Sequence, residues 1–361
     1  MQQDDRALGA FKNVISKYPN TPESKEALDQ VKNIYVNQNK TDEFLTYIKT
    51  VPNADVSLAA QDSLIYESAE LRYTQGNCEK AIDDFGDYMR RFPDGMFAVN
   101  ASYYKSDCLF RNKQYEEALP GFEYVISKPK SAFSEKSLLF AGLIQYRLNA
   151  IDKSLEHFTE LEQTAEVKDN ILAAQAGQMR CQYRLNDYAK TIAAAQKVIA
   201  SSNADKELVN EAHLLYGKSA LALNNLADAK SELSLVAKRT NSEITAEAKY
   251  DLALIEYKLG NYKDSQKIIF EIAKQEPGYD FWIAKGFILL GDDYIALKDT
   301  FQAKETYKSI VTNYQKDPRD PEDLKVVAKE KLDALLAIDV IEKGAPQRPE
   351  EKTPEEIDEK K

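Results

Sequence analysis

The sequence predicts an all-α solenoid of antiparallel helix pairs, about eight repeats of 36–38 residues. Three observations carry this expectation. The composition is rich in Ala, Leu, Lys and Glu and holds only 13 Gly and 12 Pro in 361 residues, so helix formers dominate and breakers are sparse. Short segments resemble one another at a fixed spacing. Prolines recur where each unit should close, at Pro19, Pro52, Pro93, Pro129, Pro277 and Pro318.

The self-similarity is plainest where a turn gives way to a helix. Gly76-Asn77-Cys78-Glu79-Lys80-Ala81-Ile82 is followed by Phe85, and Lys113 to Leu119 is followed by Phe122. Gly260 to Gln266 is followed in the same way by Ile269. In each, a small residue precedes a larger apolar one by four positions, one helical turn later on the same face. The small slot falls at Ala7, Phe44, Ala81, Ala118, Ser154, Thr191, Ala229, Ser265 and Ala303. The intervals are 37, 37, 37, 36, 37, 38, 36 and 38 residues, and only Phe44 breaks the small-residue rule. Each unit therefore reads as helix A, for example Asp62 to Gln75, a turn with Gly or Asn, and helix B, for example Cys78 to Phe92.

Taken in order, residues 1–20 are expected to form the second helix of a truncated repeat, because too few residues precede Ala7 for a helix A. More repeats are then expected upstream of Met1. Residues 21–320 form the tandem array. Residues 321–343 read as one capping helix with apolar positions at Leu324, Val327, Leu332, Leu335 and Ile338. Residues 344–361 are expected to be a disordered tail, since Ala345 to Lys361 carries six acids, four bases and three prolines.

Charge narrows the function. With 48 basic and 59 acidic residues the net charge is −11, which argues against nucleic acid as a partner. The tail accounts for −2, so −9 is spread over the rest of the chain, as on solvated helix faces. No stretch approaches the roughly 18 apolar residues of a membrane span. His157 and His213 lie in different repeats without a second His or a Cys at ligand spacing, and no phosphate loop, nucleophile elbow or zinc-protease motif occurs. No enzyme activity, metal or cofactor is expected. Cys108 and Cys181 share one slot of helix A, where a small buried hydrophobe is the default. Cys78 begins a helix B and Cys108 ends the next helix A, ends that an antiparallel stack makes neighbours. A disulfide in an oxidising compartment and two free thiols both stay open.

The phased slots resemble the tetratricopeptide repeat (TPR) family. Ala69, Gly76, Ala81, Phe85 and Pro93 match its pattern in one unit, and Gly142, Ser154 and Phe158 in another. Gly217 and Ala229, then Gly291, Ala303 and Tyr307, match further on, so the resemblance covers roughly residues 5–315. The period exceeds the family's usual 34 or so residues, the first-helix Trp is absent, the single Trp is Trp282, and the unit around Phe44 is degenerate. The longer period with Phe-Pro or Tyr-Pro closures is similar to bacterial cell-envelope members such as the periplasmic Tol–Pal coordinator and the lipoprotein of the outer-membrane barrel assembly machine.

That resemblance implies a right-handed superhelix whose helices A line a concave groove that binds a protein or peptide. It also implies the bacterial periplasm or cell surface, with the cytoplasm as the alternative. Helix-A positions spaced i, i+4 and i+7 share one side. On that side lie Tyr66-Glu70-Tyr73, Tyr103-Asp107-Phe110, Leu139-Leu143-Tyr146, Ala176-Arg180-Tyr183, Leu214-Lys218-Leu221, Tyr250-Leu254-Tyr257 and Ile288-Asp292-Ile295. The candidate partner-binding residues are Tyr66, Glu70, Tyr73, Tyr103, Asp107, Phe110, Tyr146, Arg180, Tyr183, Lys218, Tyr250 and Tyr257. An aromatic stripe at this spacing is more often inter-repeat packing than a binding strip. The middle-slot charges are the better candidates, because a core excludes them. The family's clamp for C-terminal carboxylates falls on Tyr66, Glu70, Tyr104, Lys136 and Phe140, and only Lys136 fits it. A structural subunit of a larger envelope assembly, using the convex face or the ends, is the alternative function.

Overall fold

The computed structural model describes residues 2–239, 242–318 and 320–344, which form eighteen α-helices and no strand. The tail expected at 344–361 lies, apart from Gly344, outside the described residues. Two compact units emerge. The first holds α1 (Gln2–Lys17), α2 (Pro22–Asn37), α3 (Thr41–Ile48), α4 (Leu58–Thr74), α5 (Cys78–Arg91), α6 (Ala98–Arg111), α7 (Tyr115–Ile126), α8 (Ser134–Arg147), α9 (Ile151–Thr164) and α10 (Lys168–Arg184). The second holds α11 (Tyr188–Ala200), α12 (Lys206–Ala222), α13 (Leu226–Ala237), α14 (Glu243–Lys258), α15 (Tyr262–Ala273), α16 (Asp280–Ala296), α17 (Thr300–Asn313) and α18 (Leu324–Gly344). Within each unit successive helices pack as antiparallel neighbours, the arrangement of a helical repeat solenoid.

The turn inside each repeat has one cause. A residue with positive φ ends every helix A, at Asn39, Gly76, Lys113, Asn149, Asn186, Asn224, Gly260 and Lys298. One left-handed residue turns the chain and lets the following N–H groups cap the last carbonyls. Asn77 N–H, for example, donates to Arg72 O at 3.0 Å. Asn and Gly tolerate this conformation, whereas Lys113 and Lys298 adopt it against their Cβ, which the expectation of Gly or Asn did not anticipate.

The small slot of helix B explains the phase. Ala81, Ala118, Ser154, Thr191, Ala229, Ser265 and Ala303 are all fully buried, because helices A approach closely there. The residue four positions later fills the space between repeats, as Phe85, Phe122 and Phe158 do in the first unit. Gly142 and Gly177 face the Phe158 ring from two sides; a Cβ would lie 3.0 Å from it at Gly142 and 2.5 Å at Gly177. The degenerate unit has a short helix B, α3, with Phe44 buried in the small slot.

In the second unit α18 docks on α17 and α16. Leu324, Val327, Leu332 and Leu335 pack with Tyr307 and Tyr314. Lys331 Nζ reaches Asp292 at 2.7 Å. Ile338 departs from expectation: it is exposed, since the helix has by then outrun its neighbours. In the first unit Cys78, at the start of α5, and Cys108, near the end of α6, form a disulfide. Cys181 is a buried free thiol.

Candidate functional site

Helices A carry the predicted site residues, and most of those residues lie in the first unit. Tyr66 donates its hydroxyl to Glu70 Oε1 at 2.6 Å. Tyr73 donates to Asp107 Oδ2 at 2.7 Å, and Arg111 closes an ion pair with the same oxygen at 2.6 Å. Burial, reinforced by Asp107, pushes the Tyr73 hydroxyl up to about 12, so it remains a donor at physiological pH. The Phe110 ring packs on Phe140 of the next helix A, with centroids 4.7 Å apart. Tyr146 lies beneath the Arg184 guanidinium, 4.9 Å from its centroid.

Three candidates sit deeper than a contact surface requires. Tyr66 and Tyr103 are buried, each under an aromatic from the connection leading into the next helix A. Phe97 stacks on Tyr66 with centroids 4.3 Å apart, and Phe133 on Tyr103 at 4.6 Å. Asp107 is buried as well, against the premise that a core excludes middle-slot charge. Its charge is met there by Arg111 and by the Tyr73 hydroxyl, which is the condition for burying a carboxylate. Leu143, the middle slot of α8, is exposed instead. Arg180 and Tyr183 lie half-buried on α10.

The half-buried rings leave an open cleft of about 540 Å³ between α4, α6 and α8. Its lining includes the predicted Tyr73, Tyr103, Asp107 and Phe110, with Tyr104, Arg111, Phe133, Lys136 and Phe140 added. Phe133 was missed because it lies in a connection, outside helix-A spacing. Arg111 is the i+4 partner of Asp107, a pair visible in sequence once Asp107 is known to be buried.

In the second unit Lys218 pairs with Glu247, and Tyr250 and Tyr257 are half-buried. Lys285 lies over the rings of Tyr250, Phe281 and Trp282, 5.4, 5.3 and 5.7 Å from their centroids. Asp251, beneath this face, is buried, and desolvation pushes its carboxyl up to about 7. His213 Nδ1 lies 2.6 Å from Glu232, and His157 Nδ1 lies 2.8 Å from Lys153 O. Among the described residues no group of three or more His, Cys, Asp or Glu is placed to hold a metal ion.

A helical repeat solenoid with an aromatic cleft on its helix-A side is thus the class that fold and site define. A profile of the tetratricopeptide repeat matches residues 66–132 and 217–280. A second profile of the same description matches 1–21 and 287–317, and the two together take in about half of the sequence. The chain belongs to the tetratricopeptide repeat family. No curated protein matches it. Similar solved structures include a tetratricopeptide repeat protein from Parabacteroides merdae, with 15% identity over 76% of this chain and 98% of that one and a TM-score of 0.44. The C-terminal part of a TPR repeat-containing protein from Cytophaga hutchinsonii has 14% identity over 73% and 98%, with a TM-score of 0.52. A signal transduction ATPase with a tetratricopeptide repeat sensor from Pyrococcus horikoshii has 16% identity over 90% of this chain and 51% of that one, with a TM-score of 0.50. At these identities the likeness concerns the fold alone.

Proposed function

We infer that this protein is a non-catalytic interaction scaffold that holds a segment of a partner protein along its helix-A face. The observation that carries this reading is the cleft between α4, α6 and α8, where aromatic rings stay half-exposed beside charged side chains. Large rings with polar tips give contact area at small entropic cost, which suits a protein-binding surface. The net charge of −11 disfavours nucleic acid, and among the described residues no helix is long and apolar enough to cross a membrane.

A photo-cross-linking residue at exposed Leu143, compared with one at Glu156 on the outer side of α9, tests the reading in cells. A discrete partner captured only from position 143 is expected. Capture from position 156 alone overturns it in favour of a second reading, a structural subunit of a larger cell-envelope assembly. That second reading draws support from Leu223, Leu259 and Leu297, which end three successive helices A of the second unit and are 51%, 50% and 38% exposed.

The compartment proposed is an oxidising one, the bacterial periplasm or cell surface. The Cys78–Cys108 disulfide supports it, since reducing compartments keep such pairs open. Rapid acid quenching of cells followed by alkylation should leave both cysteines protected; full alkylation points to the cytoplasm.

A further inference from the structure

The chemistry of the cleft between α4, α6 and α8 specifies its ligand more closely. Its walls are rings from three successive helices A and one connection: Tyr73, Tyr104, Phe110, Phe133 and Phe140. Phe133 meets Tyr104 edge-on, with centroids 5.4 Å apart and planes at 76°. Phe110 and Phe140 are tilted by 34°. Such a wall offers both faces and edges, the geometry in which a further aromatic ring gains most. The volume of about 540 Å³ exceeds a single side chain and lies in the range of ligand sites, and the cleft is open rather than enclosed. A chain can therefore enter and leave it.

Charge decides the flanks. Asp107 and Arg111 cancel one another through their 2.6 Å ion pair, and Tyr73 satisfies the same carboxylate. Lys136, on the first turns of α8, is exposed and makes no ion pair or hydrogen bond among the described residues. The lining thus carries one unmatched positive charge in a protein that is otherwise strongly acidic. An acidic segment entering this cleft meets that charge, and electrostatic complementarity of this kind sets specificity.

We propose that this cleft is the anchor subsite of the scaffold, taking an aromatic side chain of an extended partner segment whose neighbouring residues are acidic. The inference rests on the helix-A binding reading and adds the chemistry of the partner to it. The ring enters between Phe133 and Phe140, and a carboxylate beside it faces Lys136.

The test uses the full chain and three capped pentapeptides: one phenylalanine flanked by glutamates, one phenylalanine flanked by lysines, and one alanine flanked by glutamates. Binding is read by ligand-observed NMR titration. The glutamate-flanked phenylalanine should bind about five-fold more tightly than the lysine-flanked one, and about ten-fold more tightly than the alanine peptide. Lys136→Glu, an exposed substitution checked for helicity by circular dichroism, should reverse the charge preference. Phe140→Ala should remove the preference for the ring; if that variant fails to fold, Lys136→Ala should still cut the charge preference. Equal binding of the two phenylalanine peptides, or a preference unmoved by Lys136→Glu, overturns the proposal. If no peptide binds while position 143 still captures a partner in cells, the anchor chemistry is wrong and the scaffold reading stands. If neither is seen, both fall.

Discussion

Opening the Cys78–Cys108 disulfide should release one helical hairpin while leaving the rest of the array in place. The bond joins residues 30 apart, and the enclosed segment is the hairpin of α5 and α6. In the chain-entropy account a loop of that size restricts the open state by about 12 cal/mol/K, or about 3.5 kcal/mol at 25 °C. Cys78→Ala/Cys108→Ala retains small apolar side chains, which matters at fully buried Cys108, and removes only the cross-link. The opening equilibrium of the hairpin should then rise by about 2.5 orders of magnitude. Hydrogen exchange followed by mass spectrometry reads this directly, because each repeat contacts only its neighbours and opens locally. Peptides within residues 78–108 should exchange much faster in the variant, while those from α14 to α17 keep their rates. Alkylation of the denatured, unreduced protein should count one thiol, Cys181. Three reactive thiols, or unchanged exchange in the hairpin, would refute the reasoning.

Three further outcomes follow from particular contacts. Asp251 titrates near 7 in the fold against an ordinary 3.8, because burial disfavours its charge more than Lys218 and Lys285 restore it. The folded state therefore holds a proton that the unfolded chain has lost, so this group's stabilising contribution declines as pH rises from about 4 to 7. Asp251→Asn should flatten that slope and raise stability at pH 8 by about 1–4 kcal/mol, measured by urea unfolding across pH; an unchanged slope counts against the assignment. Gly177→Ala drives a Cβ into the buried Phe158 ring and should cost about 1–2 kcal/mol after the helix-propensity gain, read as a lower denaturation midpoint. Gly86→Ala meets only Lys105 Nζ, 3.5 Å away, and should stabilise α5 by about 0.5–1 kcal/mol in the same assay.

The fold was legible because its constraint repeats. Every small slot from Ala81 to Ala303 is buried by the same helix approach, so the phase survives even where residue identity drifts to Ser or Thr. The disulfide was open in sequence, because adjacency of two helix ends does not say whether both thiols face one another. Exposure along helix A was much less legible. Tyr66 and Tyr103 occupy first slots as Tyr250 does, yet they are covered by Phe97 and Phe133, which arrive from connections that helical spacing does not index. Asp107 and Leu143 exchange the roles that polarity assigns them, the acid inside and the leucine out.

That exchange follows from the tyrosines. A Tyr packed between repeats gains from burying its ring and loses if its hydroxyl finds no partner. The hydroxyls of Tyr66, Tyr73, Tyr88, Tyr307 and Tyr314 each donate to a carboxylate, on Glu70, Asp107, Asp62, Asp292 and Asp320 in turn. Part of the acidic excess is therefore built into the packing between helices rather than spread over solvated faces. Once Asp107 serves Tyr73 and Arg111, it does not act as a free charge toward a partner, and recognition falls to groups left over by packing. In the first unit those are the outward faces of Phe110 and Phe140, packed at a tilt against each other across two repeats, and the ammonium of Lys136. Packing and binding are then not rival explanations of the aromatic stripe. A ring wedged between successive helices A is held rigid by one face and offers the other, which lowers the entropic cost of capturing a ligand there.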